Sequence, residues 1–328
     1  MTEAGRPTAL APMEQEAQGF EVRVRTMRWE APGVMSLDLV APAGGNLPPF
    51  EPGAHIDVHL PGAVVRQYSL FGDPADRSRY RIGVRAVSGG LGSGIIHRRL
   101  RPGETATTSA PRNNFPFVAA ERYLFIAGGI GITPILPMMR AADATRRPWT
   151  LLYCNKDEAA APFLDEIRKF AGTVSLHSSQ RGTRLDVAKT LAAPQPNTVL
   201  YCCGPESLMT AVEETTVGWP AGTVRFEWFT PRSRTDEAAA GNFEVVCEKS
   251  GLMVEVPPDR SVLAALNDAG IGVPCSCQQG VCGTCEIRVL SGDVDHRDSI
   301  LSGAERAANQ TMMTCVSRAR SARLVLDI

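Results

Sequence analysis

The 328-residue chain has almost no net charge: 34 Lys+Arg stand against 35 Asp+Glu, a balance of −1. This excludes a globally basic nucleic-acid binder and a disordered polyelectrolyte. It also has no apolar run that spans a bilayer. The longest, Tyr123 to Met139, is 17 residues broken by four Gly or Thr and two Pro. Residues 1–18 carry Glu3, Glu14 and Glu16 and no long apolar stretch, so they do not read as a secretory signal, and a cytoplasmic location is expected. No C-x-H pair of the kind a Rieske centre needs is present. There is one C-x2-C pair, where a four-cysteine zinc site usually has two.

The chain has 44% apolar residues, ample for several cores, and at about 150 residues per domain its length suggests two or three of them. A tail is expected over 1–18. Six short strand-like segments follow, punctuated by Pro-Gly and Gly-Gly turns: 20–29, 34–40, 55–60, 64–71, 80–87 and 105–110. Such a run predicts a small antiparallel β-barrel over 19–118. From Tyr123 the rhythm changes. Strand candidates at 123–127, 150–154, 173–177 and 198–202 alternate with helical stretches at 134–144, 161–170, 185–191 and 206–217. That alternation predicts an α/β parallel sheet over 119–229. The polar, Ala-rich 230–241 reads as a linker. The final unit, 242–328, carries 8 Lys+Arg against 11 Asp+Glu and is mildly acidic.

Nine cysteines are present, and four of them fall between 275 and 285. Such clustering reads as metal or cluster ligation rather than disulfides. Cys277, Cys282 and Cys285, followed after 29 intervening residues by Cys315, have the C-x4-C-x2-C…C spacing of a plant-type [2Fe–2S] centre. Two irons sharing two sulfides need four thiolates, two per iron. Gly280 and Gly283 let the loop turn tightly around them. Cys275 lies outside the spacing, and Cys154, Cys202 and Cys247 are read as core residues.

The segment from Tyr123 through Gly128, Gly129, Gly131 and Thr133 to Pro134 runs from an apolar strand through a glycine turn into a helix start. This arrangement lets a backbone approach a pyrophosphate. It departs from G-x-G-x-x-G, so a plain structural turn stays open as the alternative. A second strand-to-helix turn, Cys202-Cys203-Gly204-Pro205-Glu206, strengthens the reading, because two such turns at the carboxyl ends of parallel strands enclose one dinucleotide. In the barrel, Arg66-Gln67-Tyr68-Ser69 places a cation, a ring and a hydroxyl on one short strand. Gly90-Leu91-Gly92-Ser93 opens a helix that can face the same phosphate.

Taken in order, RQYSL, GGIGITP, CGPESLM and CSCQQGVCGTCE resemble the phthalate dioxygenase reductase family, which includes vanillate demethylase reductases, over residues 20–328. The resemblance implies an FMN-binding barrel (FAD being the alternative), a nicotinamide-dinucleotide domain and a C-terminal ferredoxin of α+β, β-grasp type. It implies that Arg66 holds the flavin phosphate, that Gln67, Tyr68 and Ser69 lie along the flavin, and that Gly90, Gly92 and Ser93 contact it. Gly128, Gly129, Gly131, Thr133, Pro134, Asn155, Lys156, Asp157, Cys203, Gly204 and Pro205 then border NADH. Phe226 or Phe229 stacks near the flavin, and Ser69, Cys203 and Glu227 lie at the reacting atoms. Family members often carry Arg where this chain reads Asn155-Lys156-Asp157, and Asp157 is expected to repel a 2′-phosphate and favour NADH. The implied activity passes electrons singly from NADH to a terminal oxygenase of Rieske type. A haem-thiolate acceptor, a redox-sensing or cluster-carrying protein, and a zinc-binding module are the alternatives.

Overall fold

The computed structural model describes residues 19–232 and 241–328. The tail expected over 1–18 and all of the linker but 230–232 and 241 lie outside them.

Six strands come first: β1 (Phe20–Ala31), β2 (Val34–Val40), β3 (His55–Leu60), β4 (Val64–Ser69), β5 (Tyr80–Arg85) and β6 (Thr105–Thr108). They pair antiparallel in the order β4-β3-β6-β1-β2-β5. Period-two alternation sorts the faces: Val22 and Val24 point inward while Glu21, Arg23 and Arg25 point out. A bridge between Leu70 and Ile82 joins the two ends of the sheet and closes it into a barrel. Leu37, Leu39, Ile56, Leu70 and Tyr80 fill its interior.

Five parallel strands follow: β7 (Arg122–Gly128), β8 (Trp149–Asn155), β9 (Thr173–Ser178), β10 (Thr198–Cys203) and β11 (Val224–Glu227), in the order β11-β10-β7-β8-β9. Central β7 is buried on both faces, which is why its sequence is continuously apolar. Ile135, Met138 and Met139 of the helix Ile135–Ala144 cover one face, and Met209 and Val212 of the helix Glu206–Thr215 cover the other. The structure departs from the sequence reading at three points. The helix expected over 185–191 shrinks to one turn, Val187–Thr190. The helix expected over 161–170 shrinks to one turn, Leu164–Ile167, because Phe163 sits in the left-handed region at φ +63° just before it. β11 extends the sheet where only an aromatic-Glu motif was read.

The C-terminal unit holds β12 (Phe243–Cys247), β13 (Leu252–Val256), β14 (Glu286–Ser291), β15 (Val294–Asp295), β16 (Thr311–Met313), β17 (Arg318–Ala319) and β18 (Arg323–Leu326). Its main sheet has the order β13-β12-β18-β14-β16, with β18 parallel to β12 in the middle. A helix, Val262–Asp268, packs on it, with Ser261 capping the first turn by accepting from Ala264 N at 3.1 Å. Among the described residues no helix is long and apolar enough to cross a membrane.

Candidate functional site

The four motif cysteines lie close enough to influence one another, Cys277 beside Cys282 and Cys285 beside Cys315, and Cys282 and Cys285 are each held below the usual thiol range by that neighbour. Among the described residues no three His, Cys, Asp or Glu side chains gather on a single metal position. Four thiols are the ligand set that a binuclear iron–sulfur cluster requires. Cys282, Cys285 and Cys315 are buried and Cys277 is partly open. Gly280 and Gly283 take φ +69° and +73°, and the Gly280 carbonyl accepts from Ser299 N at 2.9 Å. Cys275 is exposed and Cys202 and Cys247 are buried, while Cys154 is only partly so.

This cysteine loop sits on the barrel. Asn114 Nδ2 donates to the Cys282 carbonyl at 2.8 Å, and Gln67 Nε2 donates to Ser276 Oγ at 2.9 Å. Ser276 Oγ donates in turn to Asp57 Oδ2 at 2.7 Å, and Asp57 Oδ1 also accepts from Gln67 (2.9 Å) and Arg112 Nη2 (2.7 Å). Burial alone pushes the Asp57 pKa up, but the Arg112 hydrogen bond and charge, with the bonds from Gln67 and Ser276, outweigh it and hold the carboxyl below the ordinary range. None of Asp57, Arg112 and Asn114 lies in a motif, and Ser276 lies inside the cysteine motif without being one of its spaced cysteines.

Two residues further along β4, Ser69 Oγ donates to Glu227 Oε2 at 3.3 Å, linking the barrel to the end of β11. Glu227 pairs in register with Cys203, and burial pushes its carboxyl up to about 8. Cys203 is fully buried, and burial raises its thiol well above the usual range, so it is a neutral group and no nucleophile. Between these contacts Tyr68 lies in a largely apolar setting that raises its hydroxyl to about 12. Arg66 packs against the first turn of the helix Leu91–Arg98: a Cβ on Gly92 would lie 2.5 Å from Arg66 Cγ. A guanidinium beside free helix N–H groups is the donor set a phosphate requires. Ser93 Oγ accepts from Val87 N at 3.1 Å and so also closes the loop that ends at Gly90.

The two glycine turns touch one another. A Cβ on Gly128 would lie 2.4 Å from Pro205 Cδ, and one on Gly131 would lie 2.3 Å from the Cys203 carbonyl oxygen and 2.8 Å from Gly204 N. Gly129 has φ +54° and opens a short 3-10 turn, Gly129–Ile132. Thr133, also buried, closes that turn by donating to Ile130 O at 3.0 Å, and Pro134 leads into the helix. Backbone cannot yield as a side-chain tip can. Gly131→Ala is therefore expected to cost about 1–3 kcal/mol and to raise the KM for NADH, read by thermal denaturation and steady-state kinetics. An unchanged Tm and KM contradict the packing.

Asp157 Oδ1 accepts from Ala160 N at 2.8 Å and caps the short helix Glu158–Ala160, satisfying a free N–H. Phe226 packs into the cluster of Leu200, Met209 and Trp228, whereas Phe229 is exposed. Cavities of about 510 and 570 Å³ lie away from this seam, around Arg81 and Glu166 and around Pro194 and Trp219 respectively, and hold none of the motif residues.

Residues 245–320 match the 2Fe-2S iron-sulfur cluster binding domain, and residues 125–214 the oxidoreductase NAD-binding domain. The vanillate O-demethylase oxidoreductase of Pseudomonas sp. (strain HR199 / DSM 7063) is 42% identical over 94% of this chain and 100% of that protein. The crystal structure of phthalate dioxygenase reductase, described as a modular structure for electron transfer from pyridine nucleotides to [2Fe-2S], is 37% identical. It covers 96% of this chain and 99% of its own, with a TM-score of 0.68. An intact type IV self-sufficient cytochrome P450 monooxygenase matches at 36% identity with a TM-score of 0.87, over 99% of this chain but 43% of that longer protein. With such identity along nearly the whole of both chains, joined to a cysteine loop docked on a barrel and a parallel nucleotide sheet, the protein belongs to the phthalate dioxygenase reductase family of oxygenase reductases.

Proposed function

We propose that this chain takes electrons from NADH through FMN and a [2Fe–2S] cluster and delivers them singly to a separate terminal oxygenase of Rieske type, in the cytoplasm, with residues 19–118, 119–229 and 242–328 as the flavin, nucleotide and ferredoxin units. The observation that carries this is the convergence on β4. Within four residues, Arg66 meets a helix N-terminus, Gln67 meets the cysteine loop and Ser69 meets the end of the nucleotide sheet. When bound, the flavin converts two-electron hydride chemistry into the single-electron traffic that the cluster carries.

The chain's own side chains do the positioning. Arg66 neutralises the flavin phosphate, with Gly90, Gly92 and Ser93 around it, while Tyr68 packs along the ring and Phe229 covers its open side. Gly128, Gly129, Gly131, Thr133, Pro134, Asn155, Lys156, Cys203, Gly204 and Pro205 border the dinucleotide. Ser69 and Glu227 meet where the nicotinamide and flavin units abut. There Glu227, uncharged up to about pH 8, keeps a negative charge from facing the incoming hydride. Cys277, Cys282, Cys285 and Cys315 hold the cluster.

Anaerobic purification followed by visible spectroscopy and by iron and acid-labile sulfide analysis tests the reading. Flavin and cluster bands that bleach with NADH are expected, and material free of iron and sulfide overturns it. Reconstitution with Rieske-type and haem-thiolate partners separates the acceptors, the latter being the second reading favoured by the likeness to the fused P450. The ferredoxin unit is mildly acidic, so a basic docking face is expected on the partner, and coupled turnover should fall as ionic strength rises.

Glu227 also marks the pH dependence of the fold. Its folded pKa, about 8, lies above the ordinary 4.5, so its stabilising contribution is complete below pH 4.5 and is lost as pH climbs through 8. Glu227→Gln is expected to flatten the fall in Tm between pH 5 and pH 9, an effect of up to a few kcal/mol. A variant with the parent's slope contradicts this.

A further inference from the structure

The carboxyl ends of β8 and β9 form a basic corner of which the reading above uses only Asn155 and Lys156. Asn155 and Ser178 are register partners at the strand ends. The chain after β9 folds back over the end of β8: Ser179 N donates to Asn155 O at 3.1 Å, Gln180 N to Lys156 O at 3.0 Å and Ser178 Oγ to Lys156 O at 2.8 Å. This fold-back sets Lys156 beside the exposed segment Ser179–Arg184, which carries Arg181 and Arg184. The acidic neighbours are already engaged. Asp157 caps Ala160 N, and Glu158 pairs with Arg168 at 2.8 Å and, at the longer distance of 3.9 Å, with Arg181. Arg184 forms no ion pair among the described residues. The Asn155 Oδ1, at the same strand end, is buried with no hydrogen-bond donor.

In a sheet of this kind the dinucleotide lies across the carboxyl ends of the strands. Its pyrophosphate sits at the glycine turn of β7 and its adenosine ribose beyond the next strand. There a carboxylate reads a 2′-hydroxyl, or an arginine accommodates a 2′-phosphate. This corner has one carboxylate engaged in a helix cap and another shared with Arg168, two exposed guanidiniums of which Arg184 has no ion pair among the described residues, and an orphaned acceptor suited to a ribose hydroxyl. We propose that Arg181 and Arg184, with Ser179 and Lys156, form a 2′-phosphate subsite, so that the reductase accepts NADPH as well as NADH. This rests on the nucleotide-domain reading above.

The test uses the purified holoprotein and two probes that differ by the 2′-phosphate alone, 2′,5′-ADP and 5′-AMP, in calorimetry and in competition against NADH. The 2′,5′-ADP is expected to bind about tenfold tighter or more. The ratio of kcat/KM for NADPH to that for NADH should approach or exceed one. Arg181→Ala with Arg184→Ala should bring both ratios down by a similar factor, and Arg→Lys at both positions should recover part of each. Equal affinity for the two probes, or ratios untouched by the double variant, overturns the subsite. Flavin that NADH itself fails to reduce overturns the underlying reading, whereas NADH reduction without any advantage for 2′,5′-ADP overturns this inference alone.

Discussion

Replacing Cys315 by Ser is expected to uncouple the protein: the ratio of ferricyanide-linked to oxygenase-linked NADH oxidation should rise by about 100-fold or more. The reason lies in how the four thiols are supplied. Cys277, Cys282 and Cys285 come from one loop, and Cys315 alone comes from the turn after β16, where it is buried and paired with Cys285. Thr314, beside it, ties that turn to the loop by donating from Oγ1 to the Cys285 carbonyl at 3.0 Å. Without the fourth sulfur one iron has a single protein ligand, and the loop loses its anchor to the sheet. Since metal binding is coupled to folding, the C-terminal unit should also melt earlier in the variant. The cluster absorbance and the iron content should fall together. A variant that keeps both, or that loses the two activities equally, contradicts the assignment of Cys315 as a ligand.

The cysteine loop, the two glycine turns and the RQYS strand were legible because each is a local signal. Spacing within a loop, a strand followed by a Gly-rich turn, and alternation along a strand all act over fewer than a dozen residues. What joins them was not legible. Gln67 and Asp57 meet Ser276 across more than two hundred residues of sequence, and a single Ser or Asn carries no pattern that foretells such a meeting. Asp157 shows how a local signal can carry a second role: a carboxylate two residues past a strand end can also cap the next turn, and here it does. The helix expected over 161–170 failed because a left-handed Phe163 leaves no helical nucleus before Leu164. Most strands of the ferredoxin unit are two to five residues long, too short for a period-two pattern to rise above chance.

The second large effect is expected at Asp57. Its carboxylate is 4% exposed and accepts from Gln67, Ser276 and Arg112, so it ties the strand that carries Tyr68 and Ser69 to the loop that carries the cluster cysteines. Asp57→Ala removes the acceptor and leaves the Arg112 charge without its partner beside His55, itself buried, with a pKa that burial and Arg112 lower to about 4. Breaking such a pair is expected to cost roughly 2–4 kcal/mol, Arg112 being partly open to water. The pH sign follows from the depressed pKa of Asp57: its contribution is present above pH 3.8 and is lost as pH falls through the lower folded value. Stability alone does not identify a docking role, so Ser276→Ala is the sharper variant, because it leaves the Asp57–Arg112 pair in place and removes only the link to the loop. In stopped-flow mixing with NADH, bleaching of the flavin band should keep its rate. Bleaching of the cluster band should slow by about tenfold, because a loop held by Asn114 alone spends less time in the geometry that permits transfer. If both bands bleach at the parent rates, electron passage does not depend on this contact, and Asp57 serves the barrel alone.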